Sequence, residues 1–142
     1  MAKIRHIAIS SEHPGKAAEF YKKAFGFREL KRFGLDPRRP EEAPRPCGVF
    51  LTDGTLNIAF LKFSHDQTGV GLGFQGLHHI GVLIDGDVDA WTAKIEALGA
   101  PNITGPDDIP QGAHFELKFR GPDGVVFDIT DSPWEGSAPL ED

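Results

Sequence analysis

The sequence predicts an α+β fold in which one βαβββ unit occurs twice along the chain. His-Ile-Ala-Ile at residues 6–9 returns as His-Ile-Gly-Val at residues 79–82, 73 residues later. Each segment is followed by an amphipathic helical pattern that ends at a glycine, Gly26 in the first copy and Gly99 in the second. An internal repeat of this length indicates a pseudo-symmetric domain. We expect the histidines that open the two copies to meet near the axis between them.

The first module covers about residues 3–64. Residues 4–10 alternate apolar and polar side chains, as a half-buried strand does. Pro14 then suits the first turn of a helix. The apolar residues of that helix recur at three- and four-residue spacing and predict its buried face. They are Ala17, Phe20, Tyr21, Ala24 and Phe25. Three further strands are predicted at residues 28–33, 49–52 and 56–63.

The second module covers about residues 77–132, after a glycine-rich linker at residues 65–76. Its elements, in order, are a strand at 77–84, a helix at 88–98 with an N-cap supplied by Asp85-Gly86-Asp87, and strands at 114–120 and 125–130. A tail follows at residues 133–142. A chain of 142 residues lies in the usual single-domain range, so residues 1–142 are predicted to form one domain.

The composition narrows the class of function. A formal net charge of −6 and a pI near 5.4 leave no basic stripe for nucleic acid or anionic membranes. The N-terminal residues run directly into a strand-like segment and carry no export signal, so a cytoplasmic location is expected. The single cysteine, Cys47, excludes an internal disulfide framework and agrees with a reducing compartment.

The order and phase of these motifs resemble one known superfamily. The doubled βαβββ pattern, the His-Ile strand openings and the turn Gly-Pro-Asp-Gly at residues 121–124 with an acidic residue four positions later are similar to the vicinal oxygen chelate superfamily. This superfamily includes glyoxalases, bleomycin resistance proteins and extradiol dioxygenases. The resemblance covers about residues 3–132 and implies a curved sheet around a cavity that holds a divalent metal ion.

The resemblance also assigns metal ligands. It gives His6 and His79 from the first strand of each module, and Asp128 from the last strand. The family usually has Glu at this last place, and Asp is an oxygen ligand that is one methylene shorter. The fourth family position, at the end of the first module, falls on Ile58 or Ala59, and neither side chain can bind a metal.

Strand parity supports the same three residues independently of the family. Side chains of a strand alternate between faces, so His6 and His79 can point to the cavity while neighbours such as Ile7 cover the helices. Asp128 has the same phase in its own strand. His78 falls on the opposite face, unless the register slips by one residue. Each of the three residues could instead be satisfied by backbone or turn groups, but their shared phase favours a metal site.

Two further residues are candidates for acid–base catalysis. His114 and Glu116 share one face of the predicted strand at residues 114–120. If that face lines the cavity, His114 is suited to the role because imidazole exchanges protons near neutral pH. The alternative is a solvated strand face. A few aromatic residues are expected to line the pocket and to suit an aromatic or acyl substrate.

Two imidazoles and one carboxylate leave coordination positions open, which suits Fe(II), although Mn(II), Ni(II) or Zn(II) can also bind. With no fourth ligand, this set predicts a dioxygenase-type activity on a small chelating substrate. The first alternative is a lyase or isomerase of glyoxalase or epimerase type, for which the family normally uses four protein ligands. The second is a non-catalytic module that binds a small molecule, like the drug-sequestering members. The resemblance further implies a homodimer.

Overall fold

A computed structural model describes residues 1–108 and 116–134. The first module contains β1 (Ala2–Ser10), α1 (Pro14–Phe25), β2 (Arg28–Phe33), β3 (Cys47–Thr52) and β4 (Asn57–Lys62). The second contains β5 (Gly76–Ile84), α2 (Val88–Ala97), β6 (Leu117–Arg120) and β7 (Val126–Thr130). Single 3-10 turns lie at Pro106–Asp108 and Pro122–Gly124. No helix in this part of the chain is both long and apolar enough to cross a membrane.

The seven strands of the described residues form one mixed sheet in the order β2-β3-β4-β1-β5-β7-β6, which confirms the α+β class. β1 and β5 pair antiparallel at the centre. Outside them the pairing pattern repeats: β1 pairs parallel with β4, and β5 pairs parallel with β7. The next pairs, β3 with β4 and β6 with β7, are both antiparallel.

The second module departs from the doubled pattern beside β6. Where the repeat predicts a third strand, the described residues show a single antiparallel bridge between Asn102 and Phe119. The segment still runs along β6, because the amide of Ile103 donates to the carbonyl of Lys118 at 2.8 Å. The amide of Lys118, however, donates to the side-chain oxygen of Thr104 at 2.7 Å. A side chain thus takes the place of a backbone acceptor, and the ladder ends there.

Each helix covers one half of the sheet. The first core contains Ala18, Val49, Leu51 and Phe60, and the second contains Ile84, Ala100, Phe119 and Ile129. Gly26 ends α1 in the left-handed conformation (φ 72°, ψ 23°), and the carboxylate of Asp87 caps α2 by accepting from the amide of Asp89 at 2.9 Å. The predicted end of α1 at Gly26 and the predicted N-terminal cap of α2 are therefore confirmed, whereas the C-cap of α2 is Leu98, one residue before the predicted Gly99.

The predicted buried face of α1 is wrong in part. Phe20 and Phe25 are 62% and 64% exposed, whereas Ala18, which the periodicity left out, is fully buried. The small side chain of Ala18 lets the helix approach the sheet closely, so the contact face turns toward Pro14 and Ala18. The larger rings of the predicted stripe are left at its margin.

Candidate metal centre and catalytic cavity

Four side chains with metal-ligating atoms meet on the face of the sheet opposite the helices. They are His6 of β1, His79 of β5, Asp128 of β7 and Glu116 just before β6, and their ligand atoms all lie within 4.8 Å of one another. Both imidazoles approach one carboxylate oxygen of Asp128, at 3.4 Å from His6 Nε2 and 3.0 Å from His79 Nε2. Asp128 has no exposed surface, and the histidines are 3% and 4% exposed. The structure thus brings together the three residues predicted as ligands.

The register between β1 and β5 explains how two histidine rings fit at the centre of a sheet. His6 lies opposite Gly81, and His79 lies opposite Ala8. Each ring is therefore placed beside the small residue that follows the other histidine by two positions. A Cβ atom on Gly81 would overlap with the His6 ring. Each of the repeated segments His-Ile-Ala and His-Ile-Gly therefore supplies one histidine and the small residue that leaves room for the histidine of the other segment.

The same register identifies the missing carboxylate of the first module. Gly81 pairs with Asp128 of β7, and Ala8 pairs with Ala59 of β4. Gly81 and Ala8 each follow a histidine by two residues, so Ala59, and not Ile58, is the counterpart of Asp128. Ala59 is fully buried and has no ligand atom. The prediction that this position cannot bind a metal agrees with this placement.

Glu116 brings a second carboxylate to the cluster from a different strand. Lys118 pairs with Asp128 across β6 and β7, and Glu116, two residues earlier, has the same parity. The sequence interpretation gave Glu116 a catalytic role on the cavity face, and the structure places it among the ligand atoms. His114, its predicted catalytic companion, lies outside the described residues, so that role stays a prediction.

The electrostatics of the cluster suit a cation. Burial lowers the pKa of His79, which keeps its imidazole neutral. Burial would raise the pKa of Asp128, but its contacts with His6 and His79 outweigh this and hold the pKa well below the usual range. Neutral imidazole and ionised carboxylate are the forms that bind metal ions. The ammonium of Lys118 lies 3.8 Å from Asp128 and 3.9 Å from Glu116 and offsets part of the negative charge.

Several candidate ligand atoms are buried polar atoms without a hydrogen-bond partner in the described part of the chain, which also favours a bound metal ion. The imidazoles approach Asp128 within ion-pair distance but without hydrogen-bond geometry, so His6 Nε2 and both carboxylate oxygens of Asp128 are buried without a hydrogen-bond partner among the described residues. Buried polar atoms are nearly always hydrogen-bonded, and leaving one unpaired costs about 1–3 kcal/mol. Because these atoms converge on one point, a divalent ion would satisfy them together. These residues therefore fit the metal that the superfamily resemblance implies.

Trp134, just after β7, covers one side of the cluster. Its ring stacks on His6 with centroids 4.3 Å apart, and its Nε1 donates to Glu116 Oε1 at 3.2 Å. Its ring also meets the ring of Phe50 edge-on at 4.8 Å. The sequence interpretation gave Trp134 no individual role. No local pattern indicates its position, because it depends on where the chain turns after β7.

His78 lies beside His79, contrary to the parity prediction. Ala8 pairs with His79 and the next residue, Ile9, pairs with Leu77, so β5 has a bulge at His78. A bulge interrupts the alternation of faces. The Nδ1 atoms of His78 and His79 are therefore 2.7 Å apart. Burial, with smaller effects from His79 and Lys118, lowers the pKa of His78 to about 4.

A histidine–aspartate pair lies at the wall of the same cavity. His65 Nε2 is 2.6 Å from Asp108 Oδ1, and Asp108 Oδ2 accepts from the amide of Gly105 at 2.6 Å. The other imidazole nitrogen of His65 is 3.4 Å from Ser64 Oγ. The sequence interpretation missed this pair because its members are 43 residues apart and lie in a linker and a turn.

The cavity between these groups has a volume of about 530 Å³. Aromatic side chains line one wall, and they are Phe33, Phe50, Phe63 and Trp134. Polar side chains line the other, and they include His65, His79, Asp108, Glu116 and Lys118. An aromatic wall with a few convergent polar groups is typical of a small-molecule site. The prediction that some aromatic residues line a pocket is confirmed.

Solved structures with this fold were found across nearly the whole chain. A hypothetical protein from Bacillus halodurans C-125 is 18% identical, with a TM-score of 0.67 over 96% of this chain and 99% of that one. A variant methylmalonyl-CoA epimerase from Streptomyces coelicolor, in complex with 2-nitronate-propionyl-CoA, is 22% identical, with a TM-score of 0.63 over 96% and 98%. Methylmalonyl-CoA epimerase from Mycobacterium tuberculosis is 15% identical, with a TM-score of 0.62 over 92% and 88%. At these identities the likeness establishes the fold.

The sequence itself identifies the family. A search of curated proteins found no significant match. The family model described as the Glyoxalase/Bleomycin resistance protein/Dioxygenase superfamily matches residues 3–129, which is most of the chain. This match agrees with the repeated strand pairing and with the cluster of ligand atoms on the concave face. The chain therefore belongs to the glyoxalase/bleomycin resistance protein/dioxygenase superfamily.

Proposed function

We propose that this protein is a metal-dependent enzyme of isomerase or lyase type, which moves a proton at a carbon next to a substrate carbonyl. The observation that carries the proposal is the position of Glu116, whose carboxylate joins His6, His79 and Asp128 within 4.8 Å. The dioxygenase prediction depended on only three protein ligands. Four candidate ligands favour the alternative instead, because the proton-transferring members of the superfamily normally use four.

In this proposal the four residues hold one divalent ion. When bound, the ion supplies Lewis-acid chemistry, which polarises a substrate oxygen and makes the neighbouring C–H bond more acidic. The protein must then hold the substrate, move the proton and exclude water. The aromatic wall, with Phe50 and Trp134 in edge-to-face contact, would hold the apolar part of the substrate. The ammonium of Lys118 would attract an anionic oxygen of the substrate.

His65 is the proposed base for the proton transfer. Its Nε2 lies 2.6 Å from the carboxylate of Asp108, so Nε2–H donates there and Nδ1 keeps the lone pair that accepts a proton. The substrate carbon would give its proton to Nδ1, and the electron pair of the broken C–H bond would move onto the carbonyl oxygen. Asp108 would stabilise the imidazolium that results. Return of the proton to the neighbouring carbon, or to the opposite face of the same carbon, completes an isomerisation.

The proposed substrate is a small carbonyl compound with two neighbouring oxygens that can bind one metal ion. A cavity of about 530 Å³ is large enough for a branched acid or its acyl group. The S. coelicolor and M. tuberculosis structures are methylmalonyl-CoA epimerases, and one is bound to 2-nitronate-propionyl-CoA. Methylmalonyl-CoA is therefore the first compound to test, followed by 2-oxo acids and hemithioacetals.

Metal binding is tested first. The purified protein is stripped with a chelator and reconstituted separately with Fe(II), Mn(II), Co(II), Ni(II) and Zn(II), and the metal content is measured by elemental analysis. We expect about one ion per chain. A protein that takes up none of these ions would overturn the proposal and favour the non-catalytic small-molecule binder.

Proton transfer is tested by exchange. The loaded protein is mixed with each compound in D2O, and loss of the proton signal next to the carbonyl is followed by NMR. We expect exchange that His65→Gln and Asp108→Asn slow by about 100-fold or more, the size typical of general acid–base catalysis. His13→Gln is the matched control. His13 is an exposed histidine just before α1, and its side chain makes no capping hydrogen bond to the helix. Exchange that His65→Gln leaves unchanged would exclude His65 as the base.

The dioxygenase remains a second candidate because of one contact. The hydrogen bond from Trp134 Nε1 to Glu116 Oε1 at 3.2 Å could hold Glu116 away from the ion. His6, His79 and Asp128 would then form the three-ligand set that suits Fe(II) with substrate and O₂. The test is oxygen uptake by the Fe(II)-loaded protein with a panel of catechols. Uptake without proton exchange would decide for this candidate.

A further inference from the structure

We propose that His78 is a positioning residue that fixes the tautomer and the ring orientation of His79 through a hydrogen-bonded chain from His79 to His78 to Thr68. The consequence for metal binding depends on the proposed function, but the tautomer itself is a property of the metal-free protein. The sequence interpretation had set His78 aside. The bulge in β5 is what brings it to His79.

The geometry requires a division of roles between the two rings. Their Nδ1 atoms are 2.7 Å apart, so one ring donates a single proton and the other accepts it. His79 Nε2 faces Asp128 at 3.0 Å and belongs to the ligand cluster. Without a metal ion, the proton of a neutral His79 belongs on this Nε2, because a lone pair there would face an ionised carboxylate at a repulsive distance. His79 Nδ1 is therefore the acceptor, and His78 Nδ1–H is the donor.

The donor role fixes the tautomer of His78 in turn. With its proton on Nδ1, its Nε2 is an acceptor, and this atom lies 3.3 Å from the hydroxyl oxygen of Thr68, which can donate. Both His78 and Thr68 are buried, at 9% and 4% exposure. The three side chains thus form one chain in which each donor has an acceptor. With a metal ion on His79 Nε2 the same chain would run in reverse, because metal-binding histidines generally donate their second nitrogen to such a partner, which orients the ring.

The surrounding structure holds this chain in place. The ring of Phe63 stacks on His78 with centroids 4.2 Å apart. The guanidinium of Arg120 donates to the carbonyl of Thr68 at 2.7 Å, and Asp66 accepts from the amide of Thr68 at 3.2 Å. The linker between the modules therefore has a role beyond connection, because it positions the last group of the chain.

The direct test measures the tautomer in the metal-free protein. Imidazole nitrogens of 15N-labelled protein are assigned by two-bond 15N–1H correlations. We expect His79 to carry its proton on Nε2 and His78 on Nδ1 in the metal-free protein. A metal-free His79 that carries its proton on Nδ1 would overturn the proposal, whatever the protein later proves to bind or catalyse. Failure to bind any metal would instead count against the proposed function and leave this result standing.

Two variants test the effect on the metal site. His78→Leu removes the acceptor, whereas His78→Asn keeps an oxygen near the position of Nδ1. We expect the affinity for Zn(II) or Co(II) to fall by about 10- to 100-fold in His78→Leu, and to recover to within about fivefold of wild type in His78→Asn. The visible spectrum of the Co(II) protein should change in the first variant and return in the second. Equal affinity in both variants would contradict a positioning role.

A third variant keeps the test open if His78→Leu does not fold. Thr68→Val removes only the outer acceptor and is nearly the same size. We expect His79 to keep its tautomer and the metal affinity to fall by no more than about fivefold, a smaller loss than the 10- to 100-fold typical of a direct partner of the ligand. A 10- to 100-fold loss, as large as that expected for His78→Leu, would place the orienting contact at Thr68 and overturn the role given to His78.

Discussion

The two modules share one pattern of strand pairing but place different side chains at equivalent positions that face the cavity. Phe50 pairs with Ala59 in the first module, and Lys118 pairs with Asp128 at the equivalent place in the second. The first pair is apolar and the second is an ammonium beside a carboxylate, although β2 and β4 of the first module also bring two lysines to the cavity wall. A repeated scaffold thus supplies each position twice, and the side chains decide which copy supplies the carboxylates of the cluster.

At the central seam, where β1 pairs with β5, the two modules contribute equivalent side chains. β1 and β5 each supply one histidine and one small residue, so that His6 lies opposite Gly81 and His79 lies opposite Ala8. The rings are 5.4 Å apart and nearly perpendicular. A metal placed at the seam would take one imidazole from each module, but its carboxylates, Asp128 and Glu116, come from the second module alone. The predictions below separate the seam from the two walls.

Asp128→Asn is expected to have the largest effect, because it removes the charge of a fully buried candidate ligand and keeps its shape. Loss of a residue that only orients a ligand costs about 10- to 100-fold in metal affinity, so loss of a ligand should cost more than about 100-fold. Isothermal titration with Zn(II) measures the change. Asp131→Asn, at an exposed carboxylate three residues away, is the matched control. Wild-type affinity in Asp128→Asn would remove this residue from the metal site.

Gly81→Ala is expected to have the next largest effect, because it acts on the seam. The added methyl group would overlap with the His6 ring, so the ring or the strand must move. Overpacking of this kind costs about 1–3 kcal/mol of stability, and displacement of His6 should weaken metal binding by about 10- to 100-fold, as a lost orienting contact does. Urea unfolding and metal titration measure the two effects.

Gly73→Ala is the control for that substitution. A Cβ atom at Gly73 meets nothing within 4 Å, so its stability should change by no more than about 0.5 kcal/mol. A Gly81→Ala protein that binds metal as the Gly73→Ala protein does would show that His6 needs no space from the opposite strand.

The sequence predicted the parts of the site that depend on local periodicity. Alternation along single strands was enough to place His6, His79 and Asp128 on one face, and the repeat was enough to relate them. The choice between Ile58 and Ala59 needed the register between β1 and β4, which a one-residue gap in the alignment of the repeats leaves undetermined. The positions of the strands can thus be predicted from the sequence, whereas the register between paired strands depends on contacts that the sequence pattern does not show.

The features that were missed depend on contacts between distant segments or on breaks in periodicity. The bulge at His78 interrupts the alternation that parity assumes. The pair of His65 and Asp108 joins two irregular segments, and such segments have no period from which a facing direction can be inferred. Trp134 reaches His6 only because of the path the chain takes after β7. No pattern in the sequence encodes these positions.

Trp134→Phe should have a smaller effect, and its sign distinguishes the two candidate functions. Phe keeps a ring to stack on His6 but loses the donor to Glu116 Oε1. If this hydrogen bond holds Glu116 in place as a fourth ligand, its loss should lower metal affinity by about three- to tenfold, since a typical hydrogen bond contributes about 0.5–1.5 kcal/mol net. A rise in affinity would show that Trp134 holds Glu116 back, which favours the three-ligand dioxygenase.

Phe50→Leu should have the smallest effect on metal affinity. Phe50 belongs to the aromatic wall, and among the described residues it is linked to the ligand cluster through its contact with Trp134. Leu keeps an apolar side chain and should cost less than about 1.5 kcal/mol of stability. We expect metal affinity to stay within about twofold of wild type by the same titration, and the effects of Phe50→Leu and Trp134→Phe to be non-additive, as expected for residues in contact. A loss as large as that of Asp128→Asn would mean that both walls support the ion, and the division of the cavity between the modules would not hold.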